Sequence, residues 1–359
     1  MAKTVGVIFG GKSGEHEVSL VSSESVIREM PEQYDVKEIG ISVDGVWFCG
    51  EGTLARFKAG RLESERFDEM EPCTFEEAFD GCDIVFPVLH GPFGEDGTIQ
   101  GLFEMAGIPY VGCGVLASSA CMDKLTCKSV LDSAGIPVVP YIGFTRAEWE
   151  GDPDRILKRA DTDIGFPCFV KPSNMGSSVG ITKVKELGDL REAIDLAAQF
   201  DTRILVEKGV NAREIECAVL GNGDAEAAEL GEIIVGGEFY DFNDKYIDGK
   251  STTEVPANDM DPAKRIEIQT MCVNAFREMD CSGLSRVDAF LDRDSGEIYL
   301  NEINTLPGFT SISMYPEMWA ASGVAYPELI GRLIQLGFER FEDRSRNQSK
   351  FESGTDWFK

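Results

Sequence analysis

Apolar positions in the first third of the chain come in short runs that alternate with segments of helical spacing. "TVGVIFGG" opens with an apolar run, passes through glycines, and leads into "KSGEHEVSLVSSESVIREM". This predicts strand, turn and helix, with Val18, Val21, Ser22 and Ile27 marking the helical face. "CDIVFPVLHG" predicts a buried strand ending in the polar loop "HGPFGEDGT". A helix is predicted from about Ile99 to Met105, closed by Gly107, with a further strand in "IPYVG". A second helix, from about Lys124 to Ser133, closes on Gly135 and Pro137. Strands alternating with helices over residues 1 to about 115 imply a small parallel α/β domain.

The pattern then changes. Strands in "FPCFVKPS", "SVGITKV" and "ILVEKG" surround one amphipathic helix, "LGDLREAIDLAAQF". Beyond residue 207, strands "EIECAVLG" and "AELGEIIV" precede an irregular stretch, "GGEFYDFNDKYIDGKSTTEVPA". Helix "PAKRIEIQTMCVNAFREM" precedes a hairpin, and helix "YPELIGRLIQLGFERF" begins with Pro327 at a favoured first-turn position. The charged tail after Glu342 is expected to be mobile. No repeat or low-complexity tract is found.

The hairpin, "SRVDAFLDRDSGEIYLNEINT", carries the sharpest chemical signal. Glu302 and Asn304 fall, by strict alternation, on the same face as Leu300, where a half-buried strand should be apolar. Folded about Asp294-Ser295-Gly296, Asp288 lies nearly opposite Glu302, and such opposed Cβ atoms are about 4.5–5.5 Å apart. Asp288, Glu302 and Asn304 therefore offer three oxygen ligands without Cys or His, which points to a hard cation, Mg²⁺ or Mn²⁺. A solvated hairpin face is the alternative.

A cation held this way usually bridges nucleotide phosphates. "KPSNMGSSVG" supplies Lys171 at a strand end and a Gly/Ser-rich loop able to wrap phosphate, although a plain hairpin turn fits it equally. It lacks Walker A spacing. "GGKSGEHEVS" lacks the G-x-G-x-x-G spacing of a nicotinamide site, which disfavours a dehydrogenase.

Composition narrows the partners. The 359 residues are 43% hydrophobic and 27% charged, with a net charge of −29, so nucleic acid and anionic membrane are poor partners. Any bound phosphate needs local lysines, loop amides or metal. The ten cysteines form no C-x-x-C pair and several sit in apolar runs, which predicts reduced, buried thiols in a cytoplasmic protein. The first apolar run is too short for a signal peptide, and no run is long enough for a membrane span.

Taken in order, "GGKSGEHEVS", "LHGPFGEDGTIQG", "MDKLTCK", "FVKPSNMGSSVGITKV", "EFYDFNDKY" and "RVDAFLDRDSGEIYLNEINTLPGFTSISMYP" resemble the D-alanine–D-alanine ligases of the ATP-grasp superfamily, over nearly the whole chain. The resemblance implies an α/β ATP-grasp fold, α+β overall. It would have a Rossmann-like parallel α/β domain over 1–115, a central lid over 116–206, and an antiparallel-sheet domain over 207–359 with a closing loop at 236–256. It implies ligation of two D-alanines through an acyl phosphate, with ATP as co-substrate, two Mg²⁺ or Mn²⁺ ions, and a homodimeric enzyme.

By the same resemblance, Lys124, Lys171 and Lys245 contact the phosphates. The segment Glu207, Lys208, Gly209 and Val210 forms the adenine hinge, and Glu214 holds the ribose. Asp288, Glu302 and Asn304 bind metal. Glu15 pairs with the ammonium of the first D-alanine, beside His90. Arg286 and the Gly308 amide stabilise the oxyanion, a kind of contact worth roughly 3–4 kcal/mol. Ser313 and the Met314 amide take the second carboxylate. Glu15, Ser177 and Tyr246 form a hydrogen-bonded triad that closes the loop. Phe242 departs from the tyrosine common at its place, and the stretch 44–72 is long and charged. A D-lactate or D-serine ligase of the same fold is the runner-up, and a non-catalytic nucleotide-binding module is the alternative from another class.

Overall fold

The computed structural model describes residues 2–60, 70–176, 178–234 and 252–348. The first part runs β1 (Lys3–Gly10), α1 (His16–Arg28), β2 (Tyr34–Ile41), β3 (Trp47–Cys49), α2 (Thr53–Gly60), α3 (Phe75–Phe79), β4 (Ile84–Pro87) and α4 (Thr98–Ala106). Next come α5 (Val115–Met122), α6 (Lys124–Ser133), β5 (Tyr141–Thr145), α7 (Arg146–Gly151), α8 (Pro153–Asp163), β6 (Cys168–Pro172), β7 (Thr182–Val184), α9 (Leu187–Phe200) and β8 (Arg203–Lys208). The last part holds β9 (Ala212–Gly221), β10 (Glu226–Ile234), β11 (Thr252–Glu254), α10 (Pro262–Glu278), β12 (Gly283–Asp292), β13 (Ile298–Asn304), α11 (Met314–Ala321) and α12 (Tyr326–Ser345).

The strands form three sheets. One has the order β3-β2-β1-β4, parallel at β2-β1-β4 with β3 as an antiparallel edge. A second, β5-β8-β6-β7, and a third, β11-β10-β9-β12-β13, are antiparallel throughout. α12 joins the first sheet to the third: Leu329, Ile330, Leu333 and Ile334 share one core with Val5 and Val7 of β1, Phe86 of β4, and Ala218 and Leu220 of β9. The opposite face of the third sheet packs Val287, Ala289, Leu300 and Ile303 against α10 and α5. All ten cysteines are free thiols, seven of them buried.

Four sequence expectations change. The α1 face is built on serines: Ser19, Ser22, Ser23 and Val26 are buried, while Val21 is exposed. Small residues let the helix lie close to the sheet; the Ser19 and Ser23 hydroxyls donate to the Val88 and Ser19 carbonyls, and Ser22 bonds the His90 ring. The "IPYVG" strand reduces to a single bridge between Val85 and Tyr110. α12 continues past Glu342 to Ser345.

The fourth change concerns the hairpin. Asp288 pairs with Glu302, but the next residue, Ala289, pairs with Leu300. Asn301 is the extra residue of a β-bulge, which breaks the alternation of faces. Leu300 consequently joins Ile298 and Ile303 in the core, and Glu302 and Asn304 lie on the opposite face. The oxygen ligands do not share a side with Leu300; the bulge separates them from it. The turn lies where expected, with the Gly296 amide bonded to the Asp292 carbonyl at 2.9 Å.

Candidate active site

Three pockets with shared walls run along the third sheet. The outer cleft, about 660 Å³, is lined by Lys171, Glu207, Lys208, Gly209, Val210 and Glu214 among others. A narrow middle pocket of about 90 Å³ shares Lys171 and Glu214 with it and adds Lys124, Arg286, Asp288 and Glu302. The inner pocket, about 420 Å³, shares Lys124, Arg286 and Glu302 and adds Glu15, His90, Asn304, Gly308, Ser313 and Met314. Every sequence-predicted site residue among the described ones lines this trench. Ser177, Lys245 and Tyr246, together with Phe242, lie outside the described residues.

The floor is set by register. Asp288 stands between Glu216 on β9 and Glu302 on β13, so three carboxylates form one row across the sheet. The next row on that face holds Arg286 and Asn304. Arg286 donates to both Asp288 oxygens, Nε and Nη2 each at 2.7 Å, and its Nε lies 3.2 Å from Glu216 Oε2. Burial opposes its charge, but Asp288 and Glu216 outweigh burial and hold it protonated. The Asn304 amide donates to Asp288 Oδ2 at 2.9 Å.

Among the described residues lining the inner two pockets acid exceeds base: Glu15, Glu95, Glu214, Glu216, Asp288 and Glu302 stand against Arg286, Lys124 and Lys171. Glu95 carries the imprint: burial, and then the charge of Glu15, push its carboxyl up to about 8. Its Oε1 accepts the Gly91 amide at 2.8 Å. Among the described residues no three His, Cys, Asp or Glu side chains form an ion cage by themselves. Two carboxylates and an amide, Asp288, Glu302 and Asn304, in a pocket rich in negative charge, fit the donor set of a hard divalent cation.

The lysines enter from two directions. Lys124 begins α6, where Asp123 caps the helix by accepting the Thr126 amide. Its Nζ donates to the Met175 carbonyl at 2.7 Å and lies 3.5 Å from Glu302 Oε2. Lys171 on β6 is ion-paired with Glu207 on β8. Behind them Lys128 Nζ lies 3.0 Å from the other Glu207 oxygen. Burial would raise the Glu207 pKa, but Lys128 and Lys171 together hold it at about 2.

The inner end is closed by the start of α1 and the loop that follows β4. Glu15 takes the N-cap position of α1. A Cβ placed on Gly176 would lie 3.6 Å from Glu15 Oε2, so the Gly/Ser-rich loop reaches this carboxylate. His90 is buried and bonds on both sides: Nδ1 to the Leu306 carbonyl at 3.0 Å and Nε2 to the Ser22 hydroxyl at 2.9 Å. A carbonyl only accepts, so Nδ1 carries the proton and Nε2 accepts from Ser22. Burial lowers the His90 pKa, which keeps the ring neutral. Ser313 takes the N-cap position of α11, its Oγ accepting the Thr310 amide at 3.0 Å, and Met314 begins the helix.

Sequence reasoning missed Glu216, Lys128 and Glu95. Glu216 repeats the logic used for Glu302, two residues along a strand from Glu214. Lys128 follows Lys124 by four residues, hence on the same helical face. Glu95 sits in a loop and carries no periodic signal.

A Rossmann-like first sheet, two antiparallel sheets, and a trench between them holding lysines and a carboxylate row define the ATP-grasp fold. Family models for the D-ala D-ala ligase N-terminus and C-terminus match residues 4–113 and 130–335. The chain belongs to the D-alanine–D-alanine ligase family, which are ATP-dependent ligases. It is 46% identical to a D-alanine–D-alanine ligase of Acetivibrio thermocellus, with 95% of this chain and 97% of that one covered. It is 45% identical to one of Heliobacterium modesticaldum, with 98% of each covered. Among solved structures, the D-alanine-D-alanine ligase from Coxiella burnetii superposes with a TM-score of 0.82 at 34% identity, covering 96% and 97% of the two chains. The VanG D-Ala:D-Ser ligase from Enterococcus faecalis also gives 0.82, at 37% identity, covering 94% and 100%. No helix among the described residues is long and apolar enough to cross a membrane.

Proposed function

We propose that this protein joins two D-alanine molecules into D-alanyl-D-alanine at the expense of ATP, supplying a cell-wall precursor. The observation that carries the reading is the continuous trench. A nucleotide-sized cleft leads, past lysines and a carboxylate row, to an inner pocket with an acid at one end and a helix N-terminus at the other.

In this reading adenine lies along Glu207, Lys208 and Val210, Glu214 binds the ribose, and Lys124 and Lys171 meet the phosphates. Asp288, Glu302 and Asn304 would hold Mg²⁺ or Mn²⁺, which supplies charge neutralisation between the phosphates. Glu15 fixes the ammonium of the first D-alanine, and neutral His90, locked between Ser22 and Leu306, shapes that side of the pocket. An oxygen of the first carboxylate attacks the γ-phosphorus as the bond to ADP breaks, giving an acyl phosphate. The second D-alanine, its carboxylate on Ser313 and the Met314 amide, attacks the acyl carbon through its deprotonated amine. Arg286 and the Gly308 amide offset the charge that collects on the acyl oxygen, and phosphate leaves as the amide nitrogen sheds one proton, which balances the proton that phosphate takes up. Ser177, Lys245 and Tyr246, outside the described residues, keep in this reading the roles in loop closure and phosphate contact that the resemblance gives them. A homodimer in the cytoplasm, and division near residues 115 and 206, belong to the same reading.

The test is phosphate release from Mg–ATP with D-alanine, L-alanine, D-serine and D-lactate in parallel, with the products identified. D-Alanyl-D-alanine as the main product is expected. A main product containing D-serine or D-lactate would move the protein to a sister specificity, and ATP binding without any ligation would reduce it to a nucleotide-binding module.

A further inference from the structure

Lys128 is among the most buried side chains of the molecule, 1% exposed, and it touches neither the outer cleft nor the inner pocket. Burying a lysine is costly unless a charge answers it. Here the answer is Glu207, whose two oxygens face two lysines: Oε1 toward Lys171 in the cleft wall, and Oε2 toward Lys128 at 3.0 Å behind it. The Lys128 contact is held by charge, without an aligned hydrogen bond. One carboxylate serving two ammonium groups leaves the triad with a net charge of one positive.

We propose that Lys128 is a positioning residue for the nucleotide: it balances Glu207 from behind, so that Lys171 can exchange that carboxylate for a phosphate. The inference rests on the nucleotide-binding part of the function proposed above. With Lys128 present, Lys171 can turn to an incoming polyphosphate while Glu207 keeps one counter-charge. Without Lys128 the pair Lys171–Glu207 is neutral, and drawing Lys171 away would strand an ionised carboxylate in the core. The depressed Glu207 pKa fits this view, since Lys128 is the first of the two charges that offset burial. In a chain of net charge −29, a local surplus of one positive charge beside the phosphate path is not replaced by the general field.

Charge balance and packing make different predictions. Lys128→Met and Lys128→Gln both leave the triad neutral, one with an apolar and one with a polar end, whereas Lys128→Arg keeps the positive charge in a different shape. Mg–ATP binding to the full-length protein is measured by calorimetry, with KM for ATP and for D-alanine from the ligase assay, after thermal unfolding has shown each variant folded. The expected result is at least a tenfold weaker Mg–ATP affinity in Lys128→Met and Lys128→Gln, an unchanged KM for D-alanine, and an affinity within about threefold of the parent in Lys128→Arg. Parent-like affinity in a folded neutral variant, or a Lys128→Arg variant no better than the neutral ones, overturns the proposal. If Lys128→Met does not fold, Lys128→Gln decides alone: a loss of tenfold or more supports the proposal and parent-like affinity overturns it. A parent protein that binds no Mg–ATP would instead defeat the nucleotide reading on which the inference rests.

Discussion

Asp288 and Glu302 face each other directly across β12 and β13, and Asn301, bulged out of that pairing, turns Glu302 to the Asp288 side of the sheet. Without the bulge, the strand that buries Leu300 would bury Glu302 with it. Glu302 is also 3.5 Å from Lys124, so it joins the face proposed to hold metal to the lysines proposed to meet the phosphates. Glu302→Gln keeps the shape and removes the charge. ATP turnover is expected to fall by on the order of a hundredfold, about 2.7 kcal/mol of transition-state stabilisation. The melting temperature should stay within a few degrees of the parent. Turnover assayed across a Mg²⁺ titration checks this; full activity at low Mg²⁺ would remove Glu302 from the metal site.

His90 is held neutral by burial, with its folded pKa below the ordinary value. The sign follows from linkage. At a pH between the folded and unfolded pKa the unfolded chain binds a proton that the folded chain refuses. Stability from this group is therefore complete above the unfolded value of about 6.5 and is lost as pH falls below it. His90→Gln loses the two hydrogen bonds and is expected to be less stable at pH 7.5, but its stability should decline less between pH 7.5 and 5.5. Urea unfolding at the two pH values measures the difference. Equal declines would show that His90 takes up its proton without cost.

Glu95 behaves in the opposite sense. Its folded pKa of about 8 lies above the unfolded value of about 4.5, so the folded protein holds a proton that the unfolded chain has released. This contribution is fully present below pH 4.5 and is lost as pH rises through 8. The slope is at most about 1.4 kcal/mol per pH unit for one proton. Glu95→Gln imitates the protonated acid, and in metal-free, nucleotide-free protein it should remove that decline, leaving the variant the more stable of the two at pH 8. Denaturant unfolding at pH 5.5, 7 and 8 is the measurement, and parallel curves for parent and variant would refute the assignment.

Much of this site can be read from spacing. That Asp288 and Glu302 lie near one another follows from a strand pair and the Asp294-Ser295-Gly296 turn, because a hairpin fixes register locally. Their direct pairing does not: next to the turn Ala289 pairs with Leu300, a register that would set Asp288 opposite Asn301, and the bulge at Asn301 brings Glu302 across instead. Helix α1 was legible as a helix but not in its buried face, because buried serines bonded to main chain carry no apolar signal. Lys128 reads as a surface lysine until Glu207, brought in by another sheet, gives it a partner. Lys245 and Tyr246 rest on the resemblance alone.

Gly91 makes the closing test of how the inner pocket is assembled. Its φ of +73° lies where side chains with a Cβ are strained, and a Cβ there would stand 2.6 Å from Glu15 Oε2. Gly81 supplies the control: its φ is +75°, and a Cβ there would have nothing within 4 Å. Both Gly→Ala changes should cost about 1 kcal/mol or somewhat more for the left-handed backbone. Only Gly91→Ala must also push Glu15 aside, and with it the group proposed to hold the first ammonium. The expected outcome is similar destabilisation in both variants, with the KM for the first D-alanine raised at least tenfold in Gly91→Ala alone and Mg–ATP affinity unchanged in each. Unfolding curves, initial rates against D-alanine and nucleotide titration separate the effects. If Gly91→Ala binds D-alanine as tightly as Gly81→Ala does, Glu15 is not the residue that grips it.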